Sequence, residues 1–275
     1  GTPVTIRGDI AISVLPQLSV RLGDVRFGDT EPGTGEPPAR AESVVGALRL
    51  LPLLAGSVSI SDYTLHRPLI SIRVAADGAS NWDKAFERLR EATRQRESGL
   101  TDFRITEGAA VVDDAKSGQR IDVTGIDFAV SWPGRDRQAN VSGKLVVNGE
   151  TVEINAVVAR PHALFVAEPT GIKMRFASTP LRGGFEGTLT NGDTLTGAGA
   201  LTMEGPSLRN LLRWLGQNPG IGPSFGPYAL KGQVEVLPNS LAFTKVNAEL
   251  DGNVADGALT ISFEGLRPQM RGTLD

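Results

Sequence analysis

Apolar and polar residues alternate with period two along most of this chain, which is the pattern of strands with one apolar and one wet face. Val4, Ile6, Ile10, Ile12 and Val14 share one parity, with Gly8 among them, and predict a single strand. Val20 and Leu22 continue the alternation. Its phase then shifts at Gly23-Asp24, so that Val25 and Phe27 stand in step, and this predicts a bulge or a bend. Residues 28–40 are rich in Pro and Gly, lack periodicity and read as a loop. Val58 and Ile60 alternate with serines, and Ile70, Ile72 and Val74 alternate with Ser71, Arg73 and Ala75. Farther on, Asn148-Gly149 and Asn191-Gly192 lie between alternating runs, the strongest short hairpin signal. Asp251-Gly252 and Asp256-Gly257 read as a pair of turns in the same way.

Two stretches leave this pattern. Residues 81–97 carry Trp82, Phe86, Leu89 and Thr93 at helical spacing, with Ser80 and Asp83 placed as a capping box and a face of mixed charge. Leu208, Leu211, Leu212 and Leu215 predict a second helix over 207–215 that stops at Gly216. Leu50 to Ala55 reads as a third, single-turn helix. The predicted fold is mainly β. It is an elongated, twisted antiparallel sheet or open β-groove of repeated strands, with two or three short α-helices and about half the residues in strands, above the soluble norm. The alternation by itself fits a sandwich core as well as a groove.

Composition narrows the chemistry. The 275 residues include 28 Lys and Arg against 31 Asp and Glu, so no basic field points to nucleic acid. Aromatics make up only 5%, which leaves an aliphatic interior. There is no Cys, so disulfides, thiol catalysis, zinc–thiolate sites and iron–sulfur clusters are excluded together. His66 and His162, the two histidines, are far apart and read as polar turn or strand-boundary residues. Asp113-Asp114 reads as a solvated hairpin tip, and the segment 251–257 lacks the acceptors of a calcium loop. The segment 220–226 holds a G-x-G without the strand and helix that a dinucleotide loop needs. No catalytic residue, metal ligand or cofactor is expected, and no enzymatic activity. No run of roughly 18 apolar residues is present to span a bilayer as a helix.

The block from Ala41 to Trp82 is the most specific part of the chain. It holds a strand, then Leu51-Pro52-Leu53-Leu54-Ala55-Gly56, a second strand, Arg67-Pro68, and a further strand closing on Asp77-Gly78 and Asn81-Trp82. This block resembles the N-terminal region of the AsmA family of Gram-negative envelope proteins. Thr5 to Gly8 and Leu18 to Val25 resemble the segment after that family's membrane anchor. Pro206 to Leu215 is similar to its internal helix, and Gly257 to Leu274 to its recurring strand pair. The resemblance implies a periplasmic segment of a protein held in the inner membrane by an N-terminal helix that this chain lacks, and both ends therefore read as truncated. It implies similarity to bridge-like lipid transfer proteins with chorein-type ends, and a role in outer-membrane biogenesis. The implied partners are phospholipid or another acyl-chain lipid, the inner membrane and an outer-membrane protein. The implied layout is an N-terminal groove segment over 1–98, with a helix at 81–97, and continuing β-meander repeats over 99–275. Groove-lining positions are then Val58, Ile60, Ile70, Ile72 and Val74, with Val20 and Leu22. Trp82, Phe86 and Leu89 are expected to dock the helix across an opening of the strands. A structural β-domain of the envelope, with a closed core and protein partners, is the competing reading.

Overall fold

The computed structural model describes residues 3–15, 18–28, 36–48, 60–95, 102–115, 118–192, 194–222, 224–263 and 269–275. Among them are sixteen strands and two α-helices, and about 65% of the chain is strand, more than the half expected. The chain divides into two compact units, 1–147 and 148–275. The boundary drawn at 98/99 falls inside the first unit, among residues outside those described.

The first unit contains β1 (Val4–Ile6), β2 (Ile10–Ser13), β3 (Ser19–Phe27), β4 (Ala39–Leu48), β5 (Ile60–Val74), α1 (Asp83–Gln95), β6 (Asp102–Asp114), β7 (Gln119–Ser131) and β8 (Ala139–Val147). Its strands pair in chain order from β3 to β8, while β1 and β2 both lie along β3. The single strand expected over 4–14 is thus two, interrupted at Gly8, where the backbone bonds instead to Gly23. The expected antiparallel pairing has one exception. β5 and β6 run parallel, from Asp62↔Asp102 to Val74↔Asp114. The helix α1 lies in the connection between them, and a crossover of that length returns the chain to the same end of the sheet. β5 also runs unbroken through Arg67-Pro68, where a strand boundary was expected.

The second unit contains β9 (Glu150–Val158), a 3-10 turn (Pro161–Phe165), β10 (Thr170–Ala177), β11 (Arg182–Asn191), β12 (Leu195–Gly205), α2 (Leu208–Trp214), β13 (Tyr228–Leu237), β14 (Ser240–Leu250), β15 (Asn253–Ser262) and β16 (Gln269–Leu274). These strands form an antiparallel meander, each bonded to its neighbour in sequence. Among the described residues β1 bonds only to β3 and β16 only to β15, so the end strands leave the sheet open.

Local sequence accounts for the turns. Asn148 and Gly149 both have positive φ, 49° and 82°, as a type I′ turn requires. Asp251 and Gly252 do the same at 53° and 81°, but Asp256-Gly257 lies within β15 and makes no turn. Ser207 caps α2 by accepting the Asn210 amide, and Gly216, at φ 75°, ends it. Leu211 is buried there, whereas Leu215 is 55% exposed, so the apolar stripe of this short helix covers less than its spacing promised.

The core of the second unit is one face of its sheet. Phe185, Leu201, Val234, Phe243, Val246 and Leu259 are buried together, flanked by Ile172, Met174, Leu189 and Leu230. These side chains stand in cross-strand rows such as Met174–Phe185–Leu201 and Val234–Phe243–Leu259. At the edge of this unit the hydroxyl of Tyr228 donates to the Pro180 carbonyl at 2.9 Å. Burial pushes this phenol up to about 12 from an ordinary 10. The folded state therefore holds its proton more tightly than the unfolded one. That contribution to stability is present below pH 10 and fades as the pH rises toward 12. An ultraviolet titration of the Tyr63→Phe variant should show the remaining tyrosine ionising near 12, and a midpoint at 10 would contradict this environment.

Candidate functional site

The candidate site is the apolar face of the first unit. Its cross-strand rows read Leu22–Val44–Leu65–Ile105–Phe128 and Val20–Gly46–Tyr63–Phe103–Val130 on one stretch. On the other they read Ala39–Ile70–Ala110–Val123 and Ile72–Val112–Ile121. Within β5 the apolar positions change parity between Leu65 and Pro68. A strand that alternated without interruption would turn one stretch to the opposite side of the sheet.

The backbone prevents that reversal. Asp24, Arg67 and Glu107 take left-handed φ values of 41°, 46° and 52° in β3, β5 and β6. They stand in one transverse row, since Gly23 and Val25 pair with Ser43 and Ala41, and those with His66 and Pro68, while His66 pairs with Thr106. Gly125, with φ 56°, shifts the register in β7 beside them. The result is visible at Gly108. A Cβ placed there would lie 2.8 Å from a methyl of Ile105 and 3.2 Å from both Pro68 and Ile126. Ile105 and Pro68 come from opposite sides of the row, so the two stretches share one face. The shift read at Gly23-Asp24 is therefore a bend and not a bulge, since β3 keeps one register with β4 through it, and left-handed residues recur beside it in β5 and β6.

The expected groove residues are distributed along this face. Val20 and Leu22 lie on one stretch, and Ile70, Ile72 and Val74 on the other; all five are half-buried. Val58 lies outside the described residues, and Ile60 is placed only by its backbone at the start of β5, opposite Leu48. Val74 ends the apolar rows, because its register partners Asp114 and Gln119 are polar. A pocket of about 750 Å³ opens there, lined by Val74, Asp114, Gln119, Asn81 and Arg120 among others. Tyr63, Leu65, Phe103, Ile105 and Phe128 belong to the face as well, and the sequence reading passed over them. The parity shift shared by β5, β6 and β7 was the signal that could have found them.

At the edge strands the face is open to solvent. Ile10 and Ile12 are 64% and 69% exposed although they sit opposite Leu22 and Val20. The other side of the sheet is polar along the row of left-handed residues. The Arg67 guanidinium bonds Glu107 at 2.9 Å and Glu42 at 3.2 Å. These two carboxylates raise its pKa above the ordinary arginine value.

The start of α1 closes one piece of sheet edge. β4 ends opposite Ile70, the Ser71 amide donates to the Pro38 carbonyl at 2.8 Å, and residues 72–74 of β5 would be left without a partner on that side. Asn81 supplies one, since its backbone and side chain bond both the amide and the carbonyl of Arg73. The Asn81 amide and the Trp82 indole N–H both donate to the Ser71 carbonyl, at 3.0 and 2.8 Å. The capping box forms as expected. Ser80 Oγ accepts the Trp82 amide, and the Asp83 carboxylate accepts the Ser80 amide at 2.8 Å. Docking by Phe86 does not occur. Its ring tilts toward Trp82 at 6.2 Å between centroids but stays 59% exposed. The side chain of Leu89 lies outside those described. Trp82→Ala should cost about 2–3 kcal/mol, from partial apolar burial and the carbonyl bond. A urea midpoint equal to the wild type would show that the indole does not hold the edge.

His66 is no turn residue but part of β5, with Nδ1 3.0 Å from Thr106 Oγ1. His162 lies buried in the 3-10 turn, 7% exposed, rather than in a solvated turn. Among the described residues no cluster of His, Asp and Glu is arranged to hold a metal. Among the same residues no helix is long and apolar enough to cross a membrane.

These features define a β-protein built on an open, two-faced sheet whose apolar side is continuous across strands. The AsmA family model matches residues 1–127, a range that contains the Ala41–Trp82 block, the row of left-handed residues and the apolar face except Phe128 and Val130. The similarities noted at 206–215 and 257–274 fall outside that match. The match supports an envelope-associated protein. No curated protein matches the chain.

Proposed function

We propose that the first unit binds phospholipid through its acyl chains and forms part of a path for lipid across the cell envelope. In this reading the chain lies in the periplasm and is held at the inner membrane in the longer protein. It passes lipid toward an outer-membrane partner without performing chemistry on it or binding nucleic acid. The observation that carries the proposal is the state of the apolar face. Val20, Leu22, Ile70, Ile72 and Val74 share one side of the sheet, and each remains half-buried rather than sealed. Each acyl methylene moved from water onto such a surface is worth about 0.8 kcal/mol, so a few carbons suffice for useful binding.

The competing structural reading has one observation behind it. In the second unit Phe243 and Val246 are 2% exposed and Val234 is 3% exposed, which is a closed core. The first unit also has sealed positions, Val25 at 1% and Ala41 at 2% exposed, so the lipid path is assigned to the half-buried stretches on either side of them.

A photo-crosslinker at position 70 or 72 should capture phospholipid in cells, while one at Ser71, on the polar side, should capture none. Equal capture at 71, or none at 70 and 72, would remove the proposal. Ile72→Asp should abolish capture and leave the second unit folded, because strands in such a meander contact mainly their neighbours.

A further inference from the structure

The row of left-handed residues in the first unit is crossed by a line of charged side chains. Arg67 Nε donates to Glu107 Oε2 at 2.9 Å and Nη1 to Glu42 Oε2 at 3.2 Å, so one guanidinium joins β4, β5 and β6. The line goes on in both directions. The Glu107 amide donates to Asp127 Oδ1 at 2.9 Å, Lys144 lies 4.0 Å from Asp127, and Arg26 lies 3.4 Å from Asp24. A left-handed backbone is one that residues with a Cβ avoid. Here it recurs at Asp24, Arg67 and Glu107, three non-glycine residues in one register row. Strain repeated in register needs something that favours it; cross-strand bridges supply this in β5 and β6, while Asp24 is held within β3 by Arg26. Exposed ion pairs are individually weak, but here they act at the row where each strand changes phase.

We propose that Arg67 is the positioning residue of the apolar face: by bridging Glu42 and Glu107 it ties the left-handed positions of β5 and β6 to β4 and keeps the two stretches of the face aligned. The consequence for lipid rests on the function proposed above. The consequence for geometry does not.

Two readouts on the full chain test this. The first is phospholipid photo-capture at position 70. The second is the distance distribution between spin labels at positions 40 and 104, which are exposed and lie on opposite sides of the row. Arg67→Met should lower capture at least fivefold and broaden the distance distribution. The charge-reversed variant, Arg67→Glu with Glu42→Arg and Glu107→Arg, should recover at least half of the wild-type capture and a narrow distribution. Arg67→Gly relaxes the left-handed backbone while deleting both bridges, so it serves if the Met variant fails to fold. It too should lose alignment. An unchanged distribution in the Gly or Met variant, or failure of the reversed charges to restore it, would overturn the inference. Absence of capture in the wild type would overturn the lipid reading, and the label distances would then decide the role of Arg67 alone.

Discussion

Phe243→Ala should lower the stability of the second unit by about 3–5 kcal/mol, the range for removing a fully buried aromatic ring. The ring is 2% exposed and lies in a row between Val234 and Leu259, two residues that are themselves buried. A bulge in β14 adds to the cost. The register shifts between Phe243 and Val246, so both side chains point into the same core although they are three residues apart. The backbone on either side of the cavity is thus held by two ladders and cannot collapse to fill it. The three tryptophans make the loss local to measure. Trp214 reports on the second unit, and Trp82 and Trp132 on the first. In urea the Trp214 transition should move to lower concentration by the full amount. The transition seen by Trp82 and Trp132 should move little, as expected where each repeat contacts chiefly its neighbours. A common shift of all three would mean that the chain unfolds as one cooperative body.

Much of the architecture was legible in the sequence because period-two alternation is a direct imprint of a two-faced sheet. The Asn148-Gly149 turn, the Ser80–Asp83 capping box and the Gly216 helix stop each followed from the residues that their backbone geometry demands. What was missed has a shared cause. Parity was followed within single strands, so Leu65 and Pro68 looked like the ends of two strands rather than the two sides of one left-handed residue, Arg67. Only pairing with β4 and β6 shows that Asp24, Arg67 and Glu107 occupy one row, and pairing is not local information. The parallel β5–β6 ladder was hidden for the same reason. Helical spacing at 83–95 announced α1, but not that the chain on its far side would return alongside β5. Phe86 had the right spacing for docking and stayed exposed, because Trp82 and Asn81 already fill the open edge at Ser71 and Arg73. The family resemblance over 41–82 gave the best guide to the candidate site, and the family match covers that block.

Gly199→Val should destabilise the second unit strongly, and it tests how that unit supports the core ring of Phe185. Gly187 and Gly199 face each other across β11 and β12 on the apolar side, one step from the pair Phe185 and Leu201. The Phe185 ring lies over both glycines: a Cβ at either position would come within 2.9 Å of it. The same atom at Gly199 would stand 2.7 Å from the Gly187 Cα, which belongs to rigid backbone and cannot swing away. Leaving glycine in a strand normally weakens it by roughly 0.5–1 kcal/mol through extra freedom in the unfolded chain. Here an aromatic ring covers the exposed backbone and offsets that loss. Valine has a high strand propensity, so a view based on propensity alone would have this substitution stabilise β12. The contact geometry says the opposite. The ring must leave its place or the two strands must part, at a cost of about 1–3 kcal/mol or more. A second substitution separates the two causes. If the ring is the main obstacle, Phe185→Leu in the Gly199→Val background should recover part of the loss, although Phe185→Leu alone should destabilise. If the backbone at Gly187 is the main obstacle, the double variant should be no more stable than Gly199→Val. A single Gly199→Val variant with a Trp214 unfolding midpoint at or above the wild type would show that the ring and both strands yield easily, and the glycine pair would then be no more than a permissive choice.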